Sequence, residues 1–201
     1  MTDSRAAGLL IFSYLAGGIP TGYLVVKHLK GYDIRTAGSG NPGTANVYRN
    51  AGALAGAVTL VVDALKGYAP VHLGLRLFPD RPLLAVALGA AAIVGHNWTP
   101  FLRFKGGKGV ATSAGVFTAL LPLPMGVTAA AFLIAVKLSG HISVGSMAGA
   151  VVLPLAATLL GAPAYFTGAA AAAGGLILFK HIPNLKRLRQ NKELGIHGPS
   201  A

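Results

Sequence analysis

Long blocks of apolar residues, separated by short polar stretches rich in glycine, lysine and arginine, set the pattern of this chain. The blocks occupy 6–26, 51–75, 83–94, 110–121, 125–138, 144–160 and 164–179, and many are too apolar for the core of a domain this small. They predict an all-α, polytopic membrane protein with seven transmembrane helices in a single domain over 1–201. Blocks 110–121 and 125–138 fall short of the roughly 20 residues a full span needs. Two of the seven are therefore expected to be short, tilted helices, and a re-entrant hairpin beside five full spans is the alternative. The opening MTDSR has balanced charge, and the block behind it is too long for a signal-peptide core and lacks a small-residue cleavage site. That block reads as a retained span.

Composition agrees: 53% of residues are hydrophobic, only 11% are charged, and 28 are glycine. The absence of cysteine excludes disulfides, thiolate catalysis and thiolate metal sites. A net charge of +12 would suggest nucleic acid in a soluble protein. Here the cations fall between the apolar blocks instead. Lys27, Lys30, Arg35 and Arg49 lie in the first loop, Arg103, Lys105 and Lys108 after the third span, Lys137 before a polar turn, and Lys180, Lys186, Arg187, Arg189 and Lys192 at the carboxyl end. Alternate crossings put these on one face, which the excess of lysine and arginine marks as cytoplasmic. The amino terminus is then expected outside and the carboxyl terminus in the cytoplasm. Arg5, Arg76 and Arg81 fall on the other side, and Lys66 lies within a span.

Two cytoplasmic loops carry the candidate chemistry. The first reads AGSGNPGTANVYRN over 37–50 and the second RFKGGKGVATS over 103–113. Glycine permits left-handed backbone and close approach, so successive N–H groups can converge on an anion. Ser39, Asn41 and Asn46 add directional side chains, and the Arg49 guanidinium can grip two phosphate oxygens. One such loop alone is most simply a flexible connector. Two of them, with Arg49, Lys105 and Lys108 on one rim and a helix expected to begin near Val110, point to a phosphate-bearing ligand. Neither loop is a nucleotide fingerprint: Leu102 and Gly109 stand where a P-loop needs glycine and a hydroxyl, and no strand–helix unit surrounds either loop.

At the carboxyl end, KHIPNLKRLRQNKELG places His181 and Asn184 three residues apart, on one helix face if the last span continues past Pro183. The cations there read most simply as anchors on acidic lipid headgroups. SGHIS, over 139–143, is a smaller polar turn on the same side. Asp63 and Lys66 can pair within the second span, a common way to tolerate charge in a membrane, with catalysis as the alternative. Asn97-Trp98-Thr99 fits a glycosylation sequon only by accident beside a cytoplasmic loop. His28 and Asp33 form an H-x-x-x-x-D pattern used by another class of acyltransferases, but none of that class's other signatures accompanies it.

Taken together, GSGNPGTAN with Arg49, HNWTPFLRFKGGKGVAT, KHIPNLKRL followed by Glu193, and DALKG over 63–67 resemble the three motifs and a further signature of the PlsY family. These are bacterial acyl-phosphate-dependent glycerol-3-phosphate acyltransferases, and the resemblance covers nearly the whole chain. Two positions depart from it: Ile142 precedes Ser143 where the family commonly carries two serines, and Thr44-Ala45 stands where it commonly reads Ala-Thr. The resemblance implies transfer of a fatty acyl group from acyl phosphate to the sn-1 hydroxyl of glycerol 3-phosphate at the bacterial inner membrane. The products would be lysophosphatidic acid and phosphate. Membrane lipids are the expected surroundings, and no cofactor, metal or nucleic acid is expected.

On this reading Ser143, His181, Asn184 and Lys105 are the expected catalytic residues. Ser39, Gly40, Asn41, Gly43, Asn46, Arg49, Gly106, Gly107, Lys108, Gly109 and Glu193 are expected to bind substrate, the glycines through their backbone. An organic-phosphate transporter would also want cations among small-residue helices, but predicts paired interrupted helices and a site near the midplane. The motifs of this chain are expected at one rim.

Overall fold

The computed structural model describes residues 4–196, which are almost entirely helical and contain no strand. The chain divides into two compact units, residues 1–120 and 121–201. Among the described residues, five helical stretches are long and apolar enough to cross a membrane, and two shorter apolar helices join them. The all-α membrane architecture read from the apolar blocks is therefore present. The short members differ from expectation. Block 125–138 lies in an 18-residue helix that Pro122 starts early, whereas block 110–121 gives an 11-residue helix and the last block one of 17.

In the first unit, α1 (Ser4–Gly18) and α2 (Thr21–Lys30) form one interrupted span. Pro20 has no N–H to continue the ladder, and the break frees carbonyls that hydrocarbon cannot satisfy. Neighbouring helices supply the partners. Thr99 Oγ1 donates to the Gly18 carbonyl at 2.6 Å, and Lys66 Nζ donates to the Ile19 carbonyl at 2.7 Å. The same ammonium sits 2.7 Å from Asp63 Oδ1, which also accepts from Thr21 Oγ1 at 2.9 Å. The pair expected from its spacing is thus present, and it also closes the break.

After α3 (Thr44–Ala51), the chain turns at Gly52 into α4 (Ala53–Leu77), followed by α5 (Pro82–Asn97) and α6 (Val110–Leu120). Helices without a hydrophobic force between them associate through small residues. On α1 against α5, a β-carbon at Gly17 would strike the Ala92 backbone, and one at Gly95 would strike the Tyr14 carbonyl. On α4 against α6, Gly67 meets the Thr112 carbonyl and Gly115 the Ala64 carbonyl. These contacts fix the level of α6. Its first turn lies opposite Gly67, about 21 Å along α4 from Ala53 at 1.5 Å per residue.

The second unit contains α7 (Pro122–Ser139), α8 (Ile142–Leu159), α9 (Ala164–Lys180) and α10 (Ile182–Arg189). Gly140, at φ 73°, reverses the chain between α7 and α8, and Gly174 lets α9 approach the Ala150 carbonyl. The last span does not run on past Pro183. It ends at Lys180, His181 caps both helices, and Pro183 occupies the first turn of α10, where its missing N–H costs nothing. Large apolar side chains such as Leu133, Leu138, Leu159 and Phe179 face outward, as a lipid-solvated surface requires.

Candidate active site

The first glycine loop is built from its own side chains. Asp33 caps a short 3₁₀ turn and grips the Arg35 guanidinium at 2.6 Å, and hydrogen bonds from Arg35 hold its carboxyl below the usual carboxylate range. With both oxygens engaged by Arg35, Asp33 is not the partner of His28. Beyond it, Gly38 and Gly40 adopt left-handed backbone that a side chain would strain. Asn46 is buried at the centre: it receives the Ser39 N–H at 2.9 Å and the Asn50 amide at 3.1 Å, and donates to the Ile34 and Ala37 carbonyls. That exhausts the capacity of an amide side chain. Asn46 thereby shapes the loop to which a binding role was assigned.

The backbone also serves the loop itself. The Gly40 N–H is bonded to the Ala37 carbonyl and the Gly43 N–H to Asn41 Oδ1, so these glycines form turns. The Ser39 hydroxyl, the Asn41 amide nitrogen and the half-buried Arg49 on α3 are the polar groups this loop presents.

The second loop follows a tight reversal in which Arg103 and Phe104 both have positive φ, 54° and 61°. Two successive non-glycine residues there cost roughly 1–2 kcal/mol each. Phe104 N–H to the Thr99 carbonyl, at 2.8 Å, secures the bend. The Gly106 N–H then bonds to the Asn97 carbonyl and the Gly107 N–H to the His96 carbonyl, so here too the expected backbone donors are committed, to the end of α5. Lys105 is exposed, Lys108 half-buried, and Gly109 at φ 81° leads into α6. Beneath the turn, Asn97 is fully buried with neither amide atom bonded, and the Thr112 and Ser113 hydroxyls are likewise unbonded. Buried amides this bare are rare.

A small cavity opens beside this loop, lined by Thr21, Asp63, Lys66, His96, Thr99 and the two glycines, among others. The loop thus lies level with the middle of α4 and beside an interrupted span.

In the second unit, Ser143 is buried in the first turn of α8. His181 is also buried, with Nδ1 2.8 Å from the Ile177 carbonyl. A carbonyl only accepts, so Nδ1 carries the proton and a neutral ring keeps Nε2 as an acceptor. Asn184 Nδ2 donates to Glu193 Oε1 at 2.5 Å and Arg187 Nε to Oε2 at 2.7 Å. Glu193 therefore orients Asn184 and ties down the tail. Burial raises its carboxyl, but hydrogen bonds from Arg187 and Asn184 and the charge of Arg187 bring it below the usual value. The buried Ser143 hydroxyl makes no hydrogen bond among the described residues.

Sequence reasoning passed over Thr21, His96 and Thr99, and dismissed Asn97 with the sequon. The available signal was position: His96 and Asn97 are polar residues ending an apolar block directly before a glycine loop.

The sequence profile described as Glycerol-3-phosphate acyltransferase matches residues 7–191. Glycerol-3-phosphate acyltransferases of Endomicrobium trichonymphae and Myxococcus xanthus are 44% and 40% identical, covering 92% and 93% of this chain and 92% and 97% of theirs. The fold is similar to crystal structures of PlsY (YgiH), an integral membrane glycerol 3-phosphate acyltransferase. Its glycerol 3-phosphate form gives a TM-score of 0.91 at 34% identity, and its lysophosphatidic acid form 0.87 at 30%, each covering 95% of both chains. With sequence, motifs and fold in agreement over nearly its full length, this chain belongs to the glycerol-3-phosphate acyltransferase family.

Proposed function

We propose that the protein transfers a fatty acyl group from acyl phosphate to the sn-1 hydroxyl of glycerol 3-phosphate, as one catalytic domain with its cytoplasmic face toward the soluble substrate. The hydroxyl oxygen bonds to the acyl carbon, the bond from that carbon to the phosphate oxygen breaks, and the hydroxyl proton leaves on phosphate. Lysophosphatidic acid and inorganic phosphate result. The observation that carries this reading is the pair of glycine loops bearing Arg49, Lys105 and Lys108, each braced by buried polar groups at its base. Two loops suit a reaction in which both substrates bring a phosphate. The mixed anhydride is already activated, so neither a protein nucleophile nor a metal is needed.

In this reading Ser39, Asn41, Arg49, Lys105 and Lys108 hold phosphate oxygens. Ser143, His181 and Asn184 orient glycerol 3-phosphate or polarise the reacting carbonyl. His181 orients the hydroxyl by a hydrogen bond, while a phosphate dianion, with its second pKa near 6, accepts the proton. The test is phosphate release from acyl phosphate by the purified protein, with and without glycerol 3-phosphate, alongside acyl thioester donors. Release that depends on glycerol 3-phosphate, with NMR placing the acyl group at sn-1, is expected. Product formed from a thioester and none from acyl phosphate would refute the donor.

A further inference from the structure

The cavity beside the second loop contains an arrangement that the catalytic residues named so far leave unused. Asp63 Oδ1 is occupied by Lys66 Nζ and Thr21 Oγ1. Its other oxygen, Oδ2, faces His96 Nδ1 at 4.0 Å, too long for a hydrogen bond but close enough to orient an imidazole electrostatically. The opposite edge of the ring, at Nε2, stands where a β-carbon of Gly107 would go. The backbone of the same histidine accepts the Gly107 N–H at 3.1 Å. His96 is therefore wedged between a charge fixed on α4 and the turn that carries Lys105 and Lys108, touching that turn with both ring and backbone.

We propose that His96 is a positioning residue for the second loop: Asp63, itself fixed by Lys66 and Thr21, sets the imidazole, and the imidazole sets the height of the Gly106–Gly107 turn. Glycine at 107 follows from the space the ring occupies, since its N–H is spent on the His96 carbonyl. The proposal deepens the reading above, because it rests on the second loop holding a substrate phosphate. A displacement of about 1 Å at such a loop is enough to cost on the order of 100-fold in rate.

The experiment is a two-residue cycle in the full-length protein, scored by steady-state acyl transfer with KM measured for each substrate. Gly107→Ala drives a methyl into the ring, and a fall in kcat/KM of about 100-fold is expected. His96→Ala is expected to lower it about tenfold, through a raised KM for the one substrate whose phosphate the turn holds. In the double variant the methyl occupies the space the ring vacated, so at least about tenfold of the Gly107→Ala loss should return. His96→Gln, which keeps a polar side chain against the turn, should stay within a few-fold of wild type; it carries the test where His96→Ala does not fold.

Losses that multiply in the double variant would overturn the proposal. So would a fall in kcat at unchanged KM for both substrates, the sign of a smaller folded fraction. If wild type rejects acyl phosphate, the donor assignment fails by itself, and the same cycle is run with the donor it accepts.

Discussion

Lys66 offers the sharpest test of the fold. Its side chain and that of Asp63 are only 6% and 3% exposed, and the ammonium bridges the Asp63 carboxylate to the Ile19 carbonyl freed by the helix break. Lys66→Met keeps the length of the side chain and removes both contacts. A buried carboxylate left without its cation costs about 3–5 kcal/mol, and at about 2–4 °C per kcal/mol for a chain of this size the unfolding midpoint should drop by about 6–20 °C. The informative comparison is Asp63→Asn with Lys66→Met. That pair removes the charge, lets the amide oxygen go on accepting from Thr21, and takes from the Ile19 carbonyl only one of its two donors, since the Thr21 N–H still bonds it at 3.0 Å. The double variant should therefore unfold above Lys66→Met in the same detergent. A double variant no more stable than the single one would show that Asp63 does not depend on Lys66, and the account of the broken span would fall with it.

Because the folded-state pKa of Glu193 is lowered, its stabilisation is complete above the ordinary carboxyl value of 4.5 and is lost as pH falls through the folded value. The wild-type unfolding midpoint should fall with acidification in that window, and Glu193→Gln should flatten the dependence; parallel curves would contradict the pairing with Asn184 and Arg187. His181→Gln keeps hydrogen bonding without basicity, so with substrate phosphate as the proton acceptor the acidic limb of the pH–rate profile should persist while KM rises. Loss of that limb with a fall of about 10²–10⁴-fold in kcat would make His181 the general base. For orientation, Ser39→Cys should be shielded from an impermeant thiol reagent in intact cells and Asp80→Cys should react; the reverse pattern would invert the topology. Ser200, expected on the same side as Ser39, lies outside the described residues.

The helices were legible because apolar length is a direct consequence of the bilayer, and the Asp63–Lys66 pair because three residues return a helix to one face. The two loops were legible as glycine and cation, but not in what their backbone does. Whether the N–H of Gly106 meets an anion or the Asn97 carbonyl is decided by how α5 ends, which no local pattern encodes. The contacts of Glu193 were illegible for a similar reason: the turn at 190–192 folds the tail back so that its carboxylate meets Asn184 and Arg187. His96 was visible only as the first residue of the motif HNWTPFLRFKGGKGVAT, since a lone histidine in an apolar helix has no periodicity, and the positioning role proposed for it rests on the space denied to a β-carbon at Gly107.

The half-length α6 has a consequence for where two immiscible reactants can meet. Extracting an acyl chain from lipid into water costs about 0.8 kcal/mol per methylene, roughly 10 kcal/mol or more for a common fatty acid, which would dominate any barrier to a reaction run in the aqueous phase. Because α6 starts only opposite Gly67, the polar loop ahead of it reaches that level of the first unit while apolar helix faces continue beside it. In the proposed reaction the acyl donor keeps its tail in lipid while its head meets the cations of that loop, and the soluble acceptor makes the journey instead. Partitioning, the largest energetic obstacle to joining a fat to a sugar-derived phosphate, is avoided by the length of one helix.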